Sequence, residues 1–187
     1  MNSKLQIISG RFHGRKLFLS KDARPTQNRS RAALFNMLAS GILEADRKYI
    51  VWDAFAGSGA LGLEFLSRYP HSEVLFTDVS DESMNTIRKN LSELKLGQEA
   101  RIEKADALIK VKEISTDTDV VFVDAPYANA EMGGFLIDSL SKKLKDGALV
   151  IWEQEVSNFA LPVGNWVVLR DKTYGRARFL ILQLKNK

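Results

Sequence analysis

The 187-residue sequence predicts a single α/β domain whose sheet is mostly parallel and ends in an antiparallel pair of strands. Short apolar runs with little alternation are separated by amphipathic stretches of helical period, which is the pattern of strands covered by helices on both faces. One such run, residues 50–52, continues through Asp53 into closely spaced glycines and a further helical pattern. A strand, a glycine turn and a helix in that order are typical of a site for a nucleotide-like ligand.

Composition limits the class of protein. Hydrophobic residues make up 45% of the chain and charged residues 27%, as in soluble globular proteins. No apolar run reaches the length of about 18 residues that a membrane span needs. The N-terminus lacks the apolar stretch of a signal peptide, so we expect a cytoplasmic protein with no membrane partner. Without cysteine and with only two histidines, the sequence offers no thiolate or histidine cluster, and we expect no metal.

Charge is distributed unevenly along the chain. Residues 1–31 carry eight lysines and arginines against one acid, a net charge of +7, whereas the whole chain carries +4 and the remainder therefore −3. A block this basic predicts a surface for a polyanion, most simply nucleic acid, although a solvated basic face is the alternative. We accordingly treat residues 1–41 as a basic N-terminal appendage for RNA and residues 42–187 as the core of the same domain.

This N-terminal part predicts a hairpin followed by a helix. Residues 5–8 and 16–19 read as short strands joined by a loop with a glycine at each end. Thr26 is a candidate N-cap for the helix. On that helix we expect Arg29 and Arg31 to point away from the core, either toward a ligand or toward solvent.

Three glycines, Gly57, Gly59 and Gly62, follow the first predicted strand of the core in a G-x-G-x-x-G spacing. Glycines let the backbone turn tightly and approach a ligand, and the start of the next helix offers unpaired N–H groups. The spacing alone fits a dinucleotide pocket or a structural turn without a ligand. Asp53, ahead of the glycines, would repel a pyrophosphate but suits the ammonium and the positive sulfur of S-adenosylmethionine, which favours that cofactor.

After the glycine turn, strands and helices alternate. We predict strands over residues 74–77, 101–104, 120–123 and 148–152, and helices over residues 82–94, from residue 107, and over residues 135–144. The last two strands, residues 166–169 and 178–184, are joined by residues 171–177 and pair antiparallel at the edge of the sheet.

Acidic residues close several predicted strands, and ligands of such sheets bind outside the carboxyl ends of the strands. These residues are Asp53, Asp78, Asp106, Asp124 and Glu153. Asp78 is placed to accept both hydroxyls of a ribose. Asp106 and Ala107 would lie beside an adenine, but Asp106 fits the N-cap of the next helix equally well. We expect Glu153 to be a supporting or a surface group.

The tetrapeptide Asp124-Ala125-Pro126-Tyr127 follows the most apolar strand. Methyl transfer to an exocyclic amine needs an acceptor for the amine hydrogens, a nearby carbonyl to orient the nitrogen, and a flat surface for the base. Asp124, the main chain around Ala125 and the ring of Tyr127 offer one each, and stacking a base on an aromatic ring contributes roughly 1–3 kcal/mol. A turn with a packed tyrosine is the structural alternative.

The combination of these motifs resembles the class I, Rossmann-like, S-adenosylmethionine-dependent amino-methyltransferases and, more narrowly, the RsmD family over about residues 5–184. The stretches that carry the resemblance are residues 8–10 and 14–17, Arg24-Pro25-Thr26 with Arg29 and Arg31, residues 34–36 and 55–64, the tetrapeptide at residues 124–127, and Tyr174-Gly175. This family methylates the exocyclic amine of a guanine in small-subunit ribosomal RNA. The resemblance therefore implies that activity, S-adenosylmethionine as cofactor, and ribosomal RNA or a small-subunit assembly intermediate as partner.

The resemblance also implies which residues form the site. The cofactor group is Asp53, Phe55, Ala56, Gly57, Ser58, Gly59, Asp78, Asp106 and Ala107. The base-holding group is Asp124, Ala125, Pro126 and Tyr127. The RNA group is Arg11, Arg15, Lys16, Arg24, Thr26, Arg29 and Arg31. The family usually has proline where this chain has Ala125, which keeps the carbonyl and only relaxes φ, so we expect activity to persist.

Three other functions fit part of the pattern. A related enzyme could methylate adenine or cytosine amines in DNA, because the tetrapeptide serves any planar amine. A nicotinamide-dependent oxidoreductase would use the same glycine spacing and Asp78. A non-catalytic RNA-binding assembly factor would keep the fold and lose turnover.

Overall fold

The computed structural model describes residues 5–19, 28–126, 130–157, 160–162 and 164–185. Its strands are β1 (Ile50–Asp53), β2 (Glu73–Asp78), β3 (Ala100–Lys104), β4 (Val120–Val123), β5 (Leu149–Glu155), β6 (Trp166–Tyr174) and β7 (Ala177–Leu184). Its helices are α1 (Asn28–Ala39), α2 (Ala60–Arg68), α3 (Asp81–Leu94), α4 (Ala107–Lys110) and α5 (Ala130–Lys143). The predicted alternation of strand and helix is confirmed.

All seven described strands belong to one sheet in the order β3-β2-β1-β4-β5-β7-β6. The first five strands of that order run parallel, and β7 pairs antiparallel with both β5 and β6. The predicted parallel sheet with an antiparallel C-terminal edge is confirmed. The chain order reverses direction across the sheet between β1 and β4, and ligands of such sheets bind outside the carboxyl ends of the strands at this switch point.

Two apolar layers cover the two faces of the sheet. One contains side chains of α1, α2 and α3 with alternate strand residues such as Val51 and Phe122. The other contains α4 and α5 with Trp52, Val121 and Trp152. Consecutive strand residues thus enter opposite layers, as period-two side chains of a buried strand must. Asp53 and Asp124 follow this alternation onto the face that α1 and α2 cover.

Residues 5–19, here called the N-terminal arm, fold back on themselves. The arm contains one isolated antiparallel bridge, Gln6 to Lys16, instead of the two predicted strands. Further hydrogen bonds run from Ile7 N–H to the Arg15 carbonyl at 2.9 Å and from Leu17 N–H to the Leu5 carbonyl at 3.0 Å. The hairpin path is therefore as predicted, but its regular pairing is shorter. Buried Leu5, Ile7 and Leu17 join the apolar layer of α1 and α2.

Some boundaries differ from the prediction. Helix α5 begins at Ala130 and not at residue 135. Gly133 lies inside the helix, where an added Cβ would be 2.6 Å from Trp152 Nε1, so the close approach of the helix to the Trp152 side chain requires a glycine there. Strands β6 and β7 extend almost to Gly175, whose φ of 61° makes the tight turn. No helix in the described part of the chain is long and apolar enough to cross a membrane.

Candidate active site

The glycine loop between β1 and α2 lies against the end of β2. The Ala56 N–H donates to the Thr77 carbonyl at 2.9 Å, and the Gly59 N–H donates to the Ala56 carbonyl at 2.6 Å. Gly57 and Gly59 have φ values of 54° and 80°, which are costly for residues with a side chain. At Gly62 a Cβ would come within 2.3 Å of the Phe76 ring, so the third glycine brings α2 close to the sheet.

Asp53 is buried at the carboxyl end of β1, with 1% of its surface exposed. Its Oδ2 accepts a hydrogen bond from the Gly62 N–H at 3.0 Å, in the first turn of α2. Burial raises the pKa of Asp53 to about 7, the Gly62 hydrogen bond opposes this, and the charge of Asp78 adds to it. A carboxylate with such a pKa near neutral pH gains strongly from a nearby cation.

Asp78 ends β2 beside the glycine loop. Its Oδ2 accepts from the Gly57 N–H at 2.9 Å, and its Oδ1 accepts from the Ser80 N–H at 2.9 Å. Each carboxylate oxygen has a second lone pair, so hydroxyl donors can still be accepted. The carboxylate is partly exposed and oriented by the loop that it holds.

Asp106 caps helix α4, because its Oδ1 accepts from the Leu108 N–H at 2.8 Å. The N-cap interpretation of this residue is therefore confirmed. The Asp106 side chain is exposed, whereas Ala107 is buried among the side chains of the α4 and α5 layer. Of the remaining predicted cofactor residues, Ala56 and Ser58 are buried and Phe55 is partly exposed.

Asp124 directly follows β4, next to a second carboxylate on the neighbouring strand. Val123 pairs in parallel register with Trp152, so Asp124 and Glu153 occupy adjacent positions and the same face of the sheet. Burial raises the pKa of Asp124 well above its ordinary value, and the negative charges of Glu153 and Asp53 raise it further. Glu153 is 6% exposed, so the surface position considered for it is wrong.

Two of the three other members of the tetrapeptide lie within the part of the chain that the structure describes. Ala125 is buried and Pro126 is exposed. Tyr127 lies outside the described residues. The structure thus brings Asp53, Asp124 and the glycine loop to one edge of the sheet.

A threonine that the sequence reasoning missed holds the ends of β1 and β2 together. The Trp52 Nε1–H donates to Thr77 Oγ1 at 2.9 Å, and the Thr77 hydroxyl donates to the Ala54 carbonyl at 3.1 Å. A hydroxyl in an otherwise apolar strand, directly before Asp78, was the available signal for this role.

Among the predicted RNA-binding residues, those of the N-terminal arm are exposed at the surface. Arg11 stacks on the Phe12 ring at 4.6 Å and lies 3.5 Å from Glu99. Arg15 donates to the Glu93 carbonyl at 2.7 Å, and Lys16 is exposed. Arg24 and Thr26 lie outside the described residues, and Arg29 is exposed on α1 as expected.

Arg31 does not point away from the core, so that expectation is wrong. Its side chain is fully buried, with Nε 3.7 Å from Glu64 Oε2 on α2 and Nη2 donating to the carbonyl of Gln6. Glu64 also accepts from the Ile8 N–H at 2.7 Å and from Arg68 Nε at 2.8 Å. Arg31 therefore joins α1 to α2 and the arm, and while buried it cannot touch RNA. The sequence signal for this partner was Glu64 itself, an acid within an otherwise apolar stretch of helix.

Asn90 of α3 is another buried polar residue that the sequence reasoning missed. It is completely enclosed, and its amide contacts the main chain of Phe18 in the arm and of Ser58 in the glycine loop. In the sequence, Asn90 shares the apolar face of the helix with Ile87 and Leu91, and a polar side chain on such a face needs a buried hydrogen-bond partner.

No group of three or more metal-ligating side chains occurs within the residues that the structure describes. The site consists instead of carboxylates, a glycine loop and backbone N–H groups. Carboxylates at strand ends suit a ligand with ammonium and hydroxyl groups, and so fit S-adenosylmethionine.

The comparisons with known proteins each span most of the chain. The family model described as conserved hypothetical protein 95 matches residues 5–183. The ribosomal RNA small subunit methyltransferase D of Escherichia coli is 37% identical, over 97% of this chain and 91% of that protein. A solved structure described as the putative methyltransferase yhhF from Escherichia coli superposes with a TM-score of 0.82 at 33% identity, covering 97% of this chain and 98% of its own. An RNA methyltransferase from Salinibacter ruber, solved with S-adenosyl-L-homocysteine, shares the fold at a TM-score of 0.65 and 15% identity, over 88% and 96% of the two chains.

Proposed function

Because this chain belongs to the RsmD family, we propose that it transfers a methyl group from S-adenosylmethionine to the exocyclic amine of a guanine in small-subunit ribosomal RNA. The chain is a class I methyltransferase by fold and family. The proposal adds to this the base, the atom that is methylated, and the roles of individual residues.

The roles of individual residues rest on one observation. Asp124 and Asp53 lie near each other at the carboxyl ends of the neighbouring strands β4 and β1. The two carboxylates are close enough to interact, since the negative charge of Asp53 helps to raise the pKa of Asp124. A cofactor held at Asp53 and a base held at Asp124 are therefore neighbours. Alignment of two reacting groups in this way can lower the barrier by about 7–11 kcal/mol at most.

For the cofactor, Asp53 would meet the ammonium of the amino-acid part, and Asp78 would accept the ribose hydroxyls. Asp53 is held in place by the N–H of Gly62 in the first turn of α2, and Asp78 by the N–H of Gly57 in the glycine loop. A residue whose rotamer is fixed before the ligand arrives loses little entropy on binding. When bound, S-adenosylmethionine supplies a methyl group on a positive sulfur, which leaves as the neutral thioether.

For the base, the target guanine is turned out of its stack and held by the tetrapeptide at residues 124–127. Asp124 accepts a hydrogen bond from the amine and directs the nitrogen lone pair at the methyl carbon. As the new N–C bond forms and the C–S bond breaks, the amine becomes positive and gives a proton to Asp124 or to water. The raised pKa of Asp124 makes its ionised form a better acceptor for that proton.

For the RNA, the basic N-terminal part offers exposed cations on the arm and on α1, among them Lys16 and Arg29. Their contribution is to phosphate binding, which is sensitive to salt and indifferent to sequence. The substrate is ribosomal RNA, either free or in a partly assembled small subunit.

The test is transfer of tritiated methyl from S-adenosylmethionine to three substrates in parallel. These are small ribosomal subunits from cells lacking the endogenous enzyme, naked small-subunit RNA, and DNA. We expect label in the subunits or in their RNA. Label in DNA alone would replace the proposal with a DNA amino-methyltransferase, and cofactor binding without label in any of the three would indicate a non-catalytic assembly factor.

A further inference from the structure

Asn90 bonds to two segments, the N-terminal arm and the glycine loop, to which the proposed function gives separate roles. Its side chain is 0% exposed in the middle of α3. Its Oδ1 accepts from the Phe18 N–H at 2.7 Å, and its Nδ2 donates to the Phe18 carbonyl at 3.1 Å and to the Ser58 carbonyl at 2.8 Å. Both amide hydrogens and the carbonyl oxygen are therefore engaged by backbone atoms of the arm and of the glycine loop.

These bonds are costly to lose. A buried amide or carbonyl that loses its partner keeps the whole penalty of leaving water, so a displacement of either segment is opposed by the other one. Ser58 is the central residue of Gly57-Ser58-Gly59, the turn proposed to approach the cofactor. Phe18 is near the end of the arm, and the chain next enters residues 20–27, which carry Arg24 and Thr26.

Both polar groups of the Phe18 main chain bond to the amide of Asn90. The Phe18 ring is 40% exposed, so its packing holds the backbone less firmly than that of a fully buried ring would. The preceding residue, Leu17, is buried and bonds to the Leu5 carbonyl, which anchors the arm itself. The amide of Asn90 therefore helps to fix the end of the arm at Phe18.

We propose that Asn90 is a positioning residue that couples the glycine loop to the N-terminal arm, so that cofactor binding and RNA binding strengthen each other. The coupling to RNA rests on the proposed function, whereas the coupling between loop and arm does not. Filling the cofactor site fixes the Ser58 carbonyl, which fixes Asn90 and thereby the Phe18 main chain. By reciprocity, RNA that holds the arm in the same place raises cofactor affinity by the same factor.

The first experiment needs no RNA. Amide hydrogen exchange of the purified chain is followed at residues 15–19 with and without S-adenosylhomocysteine. In the wild type the ligand should slow exchange there by at least about fivefold, the lower end of ordinary coupling between sites. In Asn90→Asp, which keeps the acceptor for Phe18 N–H but turns an oxygen toward the two carbonyls, the slowing should vanish. Asn85→Asp on the exposed face of α3 is the matched control and should behave as the wild type.

Because a buried charge can unfold the chain, Asn90→Ala is measured as well, at a temperature where circular dichroism reports it folded. It should still bind S-adenosylhomocysteine, yet show no slowing in the arm. A wild type whose arm exchanges equally fast with and without the ligand overturns the proposal. So does either Asn90 variant that keeps the slowing.

The second experiment measures the affinity of S-adenosylhomocysteine with and without small-subunit ribosomal RNA. The wild type and Asn85→Asp should bind the ligand at least about fivefold more tightly with RNA, and Asn90→Ala equally in both conditions. If RNA tightens ligand binding by the same factor in Asn90→Ala as in the wild type, the role of Asn90 is overturned while the proposed function stands. A wild type that binds neither free small-subunit RNA nor the small subunit contradicts the proposed function, and the exchange result in the arm then still decides the loop-to-arm coupling on its own.

Discussion

The Oδ2 atom of Asp53 accepts a hydrogen bond from the Gly62 N–H at 3.0 Å, joining the end of β1 to the first turn of α2. This bond partly offsets the cost of burying a carboxylate, because a donor at a helix N-terminus favours the negative form. The remaining cost still raises the pKa of Asp53 to about 7. The residue is thus ready to exchange its proton for a cationic ligand at neutral pH.

S-adenosylhomocysteine, whose ammonium would lie at Asp53, should bind more tightly as pH rises. Below about pH 7 the free protein holds a proton on Asp53 that the ligand must displace, so affinity should rise by up to about tenfold per pH unit between pH 6 and pH 7 and level off above pH 7.5. Calorimetric titration across this range measures it. Asp53→Asn, which carries no titrating group, should give a weaker and flat profile, and an equally steep profile in that variant would remove Asp53 from the ammonium site.

Arg31 and Arg29, on the same helix, should separate folding from RNA binding. Arg31→Met removes one of the two arginines paired with buried Glu64, together with the bond to the Gln6 carbonyl, and leaves Arg68 as the remaining partner. It should lower the free energy of unfolding by about 2 kcal/mol, measured with urea. Arg29→Gln is exposed and should change it by less than about 0.5 kcal/mol. In RNA binding, Arg29→Gln should reduce the slope of log affinity against log salt by roughly 0.7. An unchanged slope would make Arg29 a solvated surface residue.

Two glycines of the arm have similar φ values but different surroundings. At Gly10, with φ of 83°, an added Cβ would lie 2.0 Å from the Ser67 carbonyl oxygen, whereas at Gly14, with φ of 80°, it would meet nothing within 4 Å. Gly14→Ala should therefore cost only about 1–2 kcal/mol of backbone strain. Gly10→Ala should in addition detach the arm from α2 and weaken RNA binding. Limited proteolysis within residues 5–19 measures this, and equal resistance of the two variants would contradict it.

Asp124→Ala should affect turnover and leave cofactor affinity unchanged. Removing the group that accepts the amine hydrogens should lower kcat by about 10²-fold or more, while the affinity for S-adenosylhomocysteine stays within about twofold. Asp117→Ala, an exposed acid before β4, is the control and should retain wild-type turnover. Near-normal kcat for Asp124→Ala would show that the assigned role is wrong. The rate of the wild type should rise with pH as Asp124 loses its proton.

The parts of the fold that depend on local pattern could be predicted from sequence. Strands β1, β2 and β4 are apolar runs that end in acids, and helix α3 has a clear amphipathic period. The extra length of β6 could not be predicted, because residues 170–173 are polar and exposed along the sheet edge. The early start of α5 was hidden by Gly133, whose role depends on Trp152.

The sequence predicted the individual site residues that stand at the ends of strands. The pairings between distant residues were not visible. Arg31 resembles any other arginine of a basic segment until Glu64 is placed 3.7 Å from it. Asn90 and Glu153 likewise acquire meaning only when the fold brings Ser58 and Asp124 to them.

Nucleoside analysis of small-subunit RNA, after reaction with S-adenosylmethionine bearing a deuterated methyl group, tests the proposed activity most directly. The substrate is the small subunit from cells that lack the endogenous enzyme, and the digested RNA is analysed by mass spectrometry. We expect the labelled methyl on the exocyclic nitrogen of guanosine, present with the wild type and strongly reduced with Asp124→Ala. Labelled methyl on adenosine or cytidine, or on a ring nitrogen of guanosine, would contradict it.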